Sequence, residues 1–324
     1  MKALVYTGPE ALELREVVEP VAQAGEVIVR VDSVGICGSD MHAFLGHDER
    51  RPAPLTLGHE AAGFIVGGMR DGERVTINPL VSSMTSPASL AGRENLCPDR
   101  QIISMPPREG AFAELVAIPE RNLVTVPDGF ALSKAALAEP IAVSWHAARL
   151  GLDALHHSDP REAVVIGGGA IGVAAALALH AMDCPNVSIV EPNAARRAYL
   201  ERALGVKAVA QAERQIPLVV DAVGYAATRE IASAIVTSGG VIIHIGLGDG
   251  AGGLDIRRMT LQEITFIGTY AYTAQDFRDT AAAMFDGRLG TLDWSETRAL
   301  ADGAAAFDDI RAGRVAAPKI ILKP

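Results

Sequence analysis

The 324-residue sequence contains only three cysteines, Cys37, Cys97 and Cys184. Three thiols cannot build the disulfide framework of a small secreted domain, so we expect a protein of the reducing cytoplasm. No apolar run reaches ~18 residues without a charge or a helix breaker, so the sequence predicts no transmembrane helix. Residues 1–6 lack the long apolar stretch of a signal peptide and are typical of a first β-strand.

Basic residues are also in the minority. Lys and Arg number 29 against 39 Asp and Glu, which gives a net charge of −10. A nucleic-acid partner requires a basic face, so none is expected. The hydrophobic fraction of 49% suits a well-packed enzyme without membrane contact. The length exceeds that of one typical core and predicts two domains. There is no low-complexity segment and no repeat.

Residues 36–60 supply a thiol, an imidazole and a carboxylate in close sequence proximity: Cys37, then His59 and Glu60 after Gly58. Zinc accepts all three ligand types, and three protein ligands leave a fourth position open for a substrate oxygen. A single Cys is most often a small buried apolar residue, and a single His-Glu pair usually lies on the protein surface in contact with solvent. Their combination with flanking glycines predicts an open zinc site.

The two ends of the chain differ from its middle. Residues 1–126 show short β signals broken by Gly, Pro and Asp, including strands at 26–32 and 72–77. From residue 163 buried strands alternate with helices, which indicates a parallel βαβ sheet. Strands are predicted at 163–166, 187–190, 218–223, 241–245 and 264–267, with helices at 170–182, 194–204, 228–236 and 275–285. Too few residues separate 209 from 218 for a helical crossover, so the third strand is either degenerate or joined to the next strand by a loop instead of a helix. This half of the sheet should therefore be reduced.

A glycine-rich turn follows the first of these buried strands. Gly167, Gly169 and Gly172 form the pattern G-x-G-x-x-G between a predicted strand and a predicted helix, which is typical of dinucleotide binding. Ala170 and Ile171 complete the turn. A diphosphate would lie against the helix N-terminus, where unpaired N–H groups and the helix dipole favour an anion.

Glu191 ends the next strand, near the ~20-residue spacing expected for an acid that binds both ribose hydroxyl groups. Its charge would repel a 2′-phosphate, which favours NAD over NADP. Arg196 and Arg197 have the opposite effect, because a nearby Arg can hold that phosphate. Alternatively, Glu191 has no role in binding and is simply a solvent-exposed residue at the end of a strand.

Neighbours of the ligand triad suggest a proton path. A zinc-bound histidine usually donates its other ring N–H to a carboxylate, and Asp40 is the candidate partner for His59. Ser39 would accept the proton of the substrate oxygen. His42, three residues on, would pass it to solvent through the cofactor ribose.

The pattern Gly35-Ile-Cys37-Gly-Ser39-Asp40-x-His42, with Gly58-His59-Glu60 and Gly110-Ala-Phe112-Ala-Glu114, closely resembles zinc-dependent medium-chain dehydrogenases. The match is best with the alcohol and polyol branch that includes sorbitol dehydrogenase. It extends through Glu139-Pro140, the glycine turn, 221–224 and Lys319.

The resemblance implies an α/β protein with a GroES-like β-rich catalytic domain, 1–126 completed by about 269–324, and a Rossmann doubly wound parallel-sheet domain, 127–268. It implies a catalytic zinc on Cys37, His59 and Glu60, with Glu139 beside the metal and able to exchange with Glu60. The alternative for Glu139 is that a Glu before Pro simply begins a helix, where the helix dipole favours it. Val223 and Gly246 would join the cofactor site. The active site is expected in the cleft between domains, where Phe44, Phe112, Trp145 and Tyr270 are candidate wall residues. For Phe112 the core is an equal alternative.

Many relatives hold a second, structural zinc on four closely spaced cysteines. Here Ser83, Ser86 and Ser89 occupy three of those positions and only Cys97 remains. A serine hydroxyl is a poor zinc ligand, so one zinc per chain is expected. The segment that carries these positions, called here the serine-substituted lobe (residues 83–97), must then be held by packing or by a neighbouring subunit. A mobile lobe is the alternative.

The sequence thus predicts a zinc-dependent, NAD-preferring dehydrogenase of a small alcohol or polyol, forming a homo-oligomer (dimer or tetramer). It does not name the substrate. One alternative is a zinc-independent NADPH quinone or enoyl reductase of the same superfamily. Another is a non-catalytic nucleotide-binding protein.

Overall fold

A computed structural model describes residues 1–324. The strands are β1 (Lys2–Gly8), β2 (Ala11–Glu16), β3 (Glu26–Gly35), β4 (Leu55–Thr56), β5 (Glu60–Val66), β6 (Arg74–Ile77), β7 (Leu80–Val81), β8 (Gln101–Ile102), β9 (Leu115–Pro119), β10 (Leu123–Thr125), β11 (Glu162–Ile166), β12 (Asn186–Val190), β13 (Lys207–Val209), β14 (Ile216–Asp221), β15 (Val236–His244), β16 (Thr265–Gly268), β17 (Ser295–Ala299) and β18 (Lys319–Lys323). The helices are α1 (Gly38–Phe44), α2 (Pro87–Leu90), α3 (Leu132–Ala135), α4 (Ala138–Ala154), α5 (Ala170–Ala181), α6 (Ala194–Leu204), α7 (Ala226–Ile235), α8 (Ile256–Leu261), α9 (Ala274–Phe285) and α10 (Gly303–Arg311). None of the helices is both long and apolar enough to span a bilayer.

The chain forms two compact units. The first comprises Met1–Glu139, Thr273–Asp286 and Ser295–Pro324, and the second comprises Pro140–Tyr272 and Gly287–Trp294. The first unit thus runs beyond residue 126, because α3 packs on β3, β5 and β6. The second unit retains 287–294, where the Arg288 guanidinium lies 5.9 Å from the Trp145 ring centroid.

The first unit is built on a sheet in the order β10-β6-β5-β3-β18-β17, with β9 also paired to β3. Gly35, at the end of β3, is the register partner of Glu60 in β5 and of Ile321 in β18. Gly35 cannot carry a side chain, because a Cβ there would lie 2.1 Å from Glu60 Oε2. This register brings the end of β3, the start of β5 and the start of β18 to one place.

The core of the first unit includes an aromatic cluster. Phe307 of α10 stands edge-on to Phe112, with ring centroids 6.0 Å apart, and lies 5.2 Å from Phe44. Both partners are buried, Phe44 at 2% exposure and Phe112 at 0%. The expectation that the Phe44 ring lines a substrate site is therefore wrong, whereas Phe112 takes the core position that was its equal alternative. Both residues lie close to motif residues in the sequence, but their rings pack in the core of the first unit.

The second unit is a six-stranded sheet in the order β13-β12-β11-β14-β15-β16, with every adjacent pair parallel. This is the doubly wound order, and its switch point lies between β11 and β14. The sequence predicted a reduced half of this sheet. That half contains the three-residue β13, which residues 210–215 join to β14 without a helix.

Some boundaries differ from the sequence prediction. β14 ends at Asp221 rather than 223, because the Asp221 carboxylate accepts the N–H groups of Val223 and Gly224 and closes a turn there. α7 ends at Ile235, one residue early, because Val236 already pairs with Ile216 as the first residue of β15.

Candidate metal and cofactor sites

Three side chains of the first unit converge as the sequence predicted. The ligand atoms of Cys37, His59 and Glu60 all lie within 4.8 Å of one another. His59 and Glu60 are buried, at 6% and 0% exposure, and Cys37 is partly exposed. A thiol, an imidazole and a carboxylate this close to one another can bind one divalent cation and leave a coordination position open.

Local structure holds Cys37 in place. It precedes the first turn of α1 with an extended backbone, φ −94° and ψ 155°. Its N–H donates to Asp40 Oδ2 at 3.0 Å, the usual role of an acid three residues into a helix. The other oxygen, Asp40 Oδ1, accepts the Gly58 N–H at 3.2 Å. One buried carboxylate thus connects the segments that carry Cys37 and His59.

The His59 ring has two neighbours at Nδ1. Asp40 Oδ1 lies 3.4 Å away, as the sequence predicted for its partner. Ser104 Oγ lies 3.3 Å away and was not predicted, because nothing in its local sequence indicates a site. Burial acts to lower the pKa of His59, but the Asp40 carboxylate and the Cys37 side chain outweigh it and hold that pKa well above its usual value.

Glu60 is paired with a residue from the end of the chain. Lys319 Nζ donates to Glu60 Oε1 at 2.6 Å and to the Ile36 carbonyl at 3.0 Å. Burial opposes the charge of Lys319, yet the carboxylate of Glu60 and the thiol of Cys37 raise its pKa. The second oxygen, Glu60 Oε2, is buried with no protein partner. Such an unsatisfied acceptor is consistent with a metal ligand.

The remaining predicted residues of the metal site lie around this group. Ser39 and His42 are three residues apart in α1, a spacing that puts two side chains on one helix face; Ser39 is half-buried and His42 exposed. Glu139 is buried in the first turn of α4. It is not one of the three converging ligands, but its charge contributes to the raised pKa of Lys319.

The serine-substituted lobe has its own hydrogen bonds. Ser86 Oγ donates to Ser89 Oγ at 2.9 Å, and the Ser89 N–H donates back to Ser86 Oγ at 3.1 Å. Cys97 has no exposed surface, and its Sγ lies 4.0 Å from the Ser83 carbonyl oxygen. Hydroxyl groups and one thiol therefore occupy the interior of this lobe.

In the second unit the glycine turn follows β11. Gly167 has φ +102°, and a Cβ at Gly172 would lie 1.8 Å from the Gly167 carbonyl oxygen. Gly169 precedes α5 and has no atom within 4 Å of the position a Cβ would take. Close packing at Gly172 and open space at Gly169 fit a turn that accepts a diphosphate. Ala170 and Ile171 form the first turn of α5.

The Glu191 carboxylate is buried and accepts hydrogen bonds from two backbone N–H groups. Its Oε2 accepts the Gly168 N–H at 3.0 Å, and its Oε1 accepts the Asn193 N–H at 2.8 Å. A carboxylate has about four lone-pair sites, so acceptor capacity remains for ribose hydroxyl groups. Arg197 Nη1 donates to the carbonyl groups of Glu191 and Pro192, both at 2.8 Å. Arg196 is half-buried beside it in α6.

The loop after β14 and the loop after β15 are in direct backbone contact. Gly246 donates its N–H to the Asp221 carbonyl at 3.1 Å, and a Cβ on Gly246 would lie 2.2 Å from the Val223 backbone. The predicted cofactor residues Val223 and Gly246 are therefore neighbours. Arg229 of α7 donates to the carbonyl groups of Gly224 at 2.9 Å and Gly252 at 2.7 Å. Arg229 also pairs with the Asp249 carboxylate. Sequence reasoning missed Arg229, since most of its partners are backbone carbonyl groups and Asp249 is 20 residues away in the chain.

Two family models match the chain. The alcohol dehydrogenase GroES-like domain matches residues 23–128, and the zinc-binding dehydrogenase domain matches residues 170–286. The L-galactonate-5-dehydrogenase of Escherichia coli (strain K12) is 29% identical over 309 residues, covering 89% of this chain and 88% of the relative. A sorbitol dehydrogenase of Arabidopsis thaliana is 27% identical over 292 residues, covering 82% and 79%.

Solved structures share the whole fold. The crystal structure of galactitol-1-phosphate dehydrogenase from Escherichia coli has a TM-score of 0.88 at 24% identity, with 100% of both chains covered. The predicted α/β class, with a GroES-like and a Rossmann domain, is thereby confirmed. The two matched domains, the relatives and the converging ligand triad together lead to one conclusion: the chain belongs to the zinc-dependent medium-chain dehydrogenase family.

Proposed function

We propose that the protein transfers a hydride between a secondary hydroxyl group of a polyol or sugar-derived acid and NAD, with one zinc held by Cys37, His59 and Glu60. The observation that carries this proposal is the convergence of these three ligand atoms within 4.8 Å. Alcohol and polyol oxidoreductase activity agrees with the relatives.

The residues fit a zinc ion on two independent grounds. The donor set contains the thiol and imidazole that zinc prefers, and three ligands leave the open position of a catalytic site. In addition, Glu60 Oε2 is a buried oxygen without a protein partner. Bound zinc would act as a Lewis acid and favour loss of the substrate hydroxyl proton.

The proton then needs a path through protein groups. Ser39 Oγ is the proposed acceptor of the substrate hydroxyl proton. His42, exposed on the same face of α1, is proposed to transfer that proton to solvent. Asp40 keeps the His59 ring oriented through Nδ1, as does Ser104. Lys319 holds one Glu60 oxygen, so the other is directed as a ligand. Glu139 would be an alternative carboxylate ligand for the metal beside Glu60.

NAD is the proposed cofactor rather than NADP. The carboxylate of Glu191 keeps free acceptor capacity for the adenosine ribose, and its charge opposes a 2′-phosphate. Arg197 is already hydrogen-bonded to two backbone carbonyl groups, which supports this choice. Gly167, Gly169, Ala170, Ile171, Gly172, Arg196, Val223 and Gly246 complete the proposed cofactor set.

The substrate class follows from the relatives' names, which specify a sugar acid and a sugar alcohol. Both molecules carry several secondary hydroxyl groups along a carbon chain. The test is NADH formation by zinc-loaded protein with a panel of sugar alcohols, aldonates, simple secondary alcohols and hydroxy amino acids. Turnover of a sugar alcohol or aldonate that is lost on zinc removal and returns with zinc supports the proposal.

The rival functions are tested by the same panel together with an assay of quinone and enone reduction by NADPH. Activity of metal-free protein with NADPH and a quinone or enone would favour a zinc-independent reductase. Absence of turnover with every alcohol would favour a non-catalytic nucleotide-binding protein. The intact ligand triad is the reason for preferring the dehydrogenase.

A further inference from the structure

Arg51 is a buried arginine outside the set of residues that the proposed chemistry uses. Only 3% of its surface is exposed. Its Nη1 donates to Asp48 Oδ2 at 2.9 Å and to the Ser39 carbonyl at 3.1 Å, and its Nε donates to the Ser104 carbonyl at 3.0 Å. A buried charge is costly unless it is paired and hydrogen-bonded. The three acceptors satisfy that requirement for the guanidinium.

The two carbonyl groups belong to the two segments that contact the His59 ring. Ser39 adjoins Asp40, whose Oδ1 lies 3.4 Å from His59 Nδ1. Ser104 presents its Oγ to the same nitrogen at 3.3 Å. Arg51 therefore connects both groups that can accept a hydrogen bond from that ring nitrogen.

Ser104 has an unusual backbone conformation. Its φ is +73°, in the left-handed region that residues other than glycine rarely occupy, and it has no exposed surface. Such a conformation persists only where the surroundings hold it, and it is concentrated at functional sites. The hydrogen bond from Arg51 to the Ser104 carbonyl is one of the contacts that hold it.

We propose that Arg51 is a positioning residue of the metal centre, acting through Ser104 and Ser39 to orient His59. The inference rests on the proposed zinc site. A lysine cannot reproduce it fully, because an ammonium group is a point charge whereas the planar guanidinium serves several acceptors in a fixed geometry. Asp48 keeps the guanidinium of Arg50 as a partner at 2.8 Å, so removal of Arg51 does not leave it unpaired.

The test measures metal binding rather than turnover. Metal-free wild type and the Arg51→Met, Arg51→Lys and Ser104→Ala variants are titrated with zinc against a chelator and with cobalt by absorption spectroscopy. Loss of a group that orients a ligand typically weakens metal affinity by about 10–100-fold, which we expect for Arg51→Met together with a changed cobalt spectrum. Arg51→Lys should recover part of the affinity, and Ser104→Ala should weaken it less.

A double variant tests the route. If Arg51 acts through Ser104, combining Arg51→Met with Ser104→Ala should weaken zinc binding by much less than the product of the two single effects. The matched control is Arg108→Met, which breaks an ion pair to Glu26 at 2.8 Å in the same unit. The Arg108 side chain donates to Glu26 and to Gln101, and neither is a residue of the proposed metal site. It should leave zinc affinity and the cobalt spectrum unchanged.

The outcomes separate the two proposals. A wild-type protein that binds neither metal would overturn the zinc site itself. A wild type that binds, with Arg51→Met matching its affinity and spectrum, would overturn only the role of Arg51. If Arg51→Met does not fold, Arg51→Lys and Ser104→Ala decide, and wild-type affinity and spectra in both would reject the inference.

Discussion

Lys319, close to the end of the sequence, donates a 2.6 Å hydrogen bond to Glu60, 259 residues earlier. Both side chains are buried, at 3% and 0% exposure. The contact exists because β18 and β5 both pair with the end of β3 at Gly35. One Glu60 oxygen is thereby occupied and the other left without a partner, which gives the carboxylate a defined direction toward Cys37 and His59.

Lys319→Met should be strongly destabilising in the metal-free protein. Removing one partner of a buried ion pair leaves an uncompensated charge and typically costs ~3–5 kcal/mol. The measurement is chemical unfolding monitored by circular dichroism. Lys323→Met is the control, since the Lys323–Asp32 pair at 2.5 Å is about one-third exposed and such pairs contribute ~0–1 kcal/mol. Equal stability of the two variants would contradict the prediction.

Metal content should be one zinc per chain. The interior of the serine-substituted lobe contains Ser86, Ser89 and a single thiol, Cys97, and this set of side chains cannot form a structural zinc site. Elemental analysis of purified protein checks the number. Cys37→Ser should lose both the zinc and the alcohol oxidation. Two tightly bound zinc ions per chain would contradict the prediction, and activity that survives without metal would favour the reductase.

Ser39→Ala should reduce turnover while zinc stays bound. General acid–base assistance typically contributes ~10²–10⁴-fold, and Ser39 is the proposed first acceptor. His42→Ala should cost less, because solvent or buffer can replace the exposed end of the relay. Steady-state kinetics with metal analysis of each variant make the test. Wild-type turnover in Ser39→Ala would mean that the hydroxyl group is structural.

Cofactor preference should follow Glu191. We expect kcat/KM to favour NAD⁺ over NADP⁺ by at least ~10-fold, equivalent to ~1.4 kcal/mol. Glu191→Gln should erode the preference, since the amide removes the charge but keeps an acceptor for the Gly168 N–H. Glu191→Ala should weaken NAD⁺ use further, because that N–H then loses its partner. A wild-type preference for NADP⁺ would show that Arg196 and Arg197 dominate.

The three thiols should differ in reactivity. Burial raises the pKa of Cys184 to about 11, and neither Cys184 nor Cys97 has exposed surface. Cys37 is partly exposed. Iodoacetamide at pH 8 should therefore alkylate the metal-free protein at Cys37 alone, and zinc should protect it. Peptide mass spectrometry locates the label. Alkylation of Cys184 in the folded protein at a rate similar to Cys37 would contradict this expectation.

Much of the candidate site was predictable because its signals are local. Ser39 and His42 share a helix face through their spacing, and Asp40 reaches the Cys37 N–H within one helical turn. The glycine turn at 167–172 lies between a strand and a helix, as its pattern requires. Such features depend on a few neighbouring backbone angles, which residue type restricts directly.

Other predictions failed or could not be made from sequence. Phe44 was expected to line a substrate site, yet its ring packs on Phe307 in the core, and sequence could not decide between wall and core for Phe112, which also packs there. Ser104 carries no local signal, and its contact with His59 depends on a left-handed backbone and on Arg51. These outcomes depend on which distant segments share a core.

Residue types and their spacing were enough to predict the candidate zinc ligands, the glycine turn, the loss of the second cysteine cluster and the alternation of strands and helices. Three contacts became visible only in the folded chain: Lys319 with Glu60, Ser104 beside Asp40 at the His59 ring, and the Gly168 N–H with the Glu191 carboxylate. The physical reason is that residue spacing encodes local geometry, whereas strand register and core packing set the contacts between segments far apart in the chain.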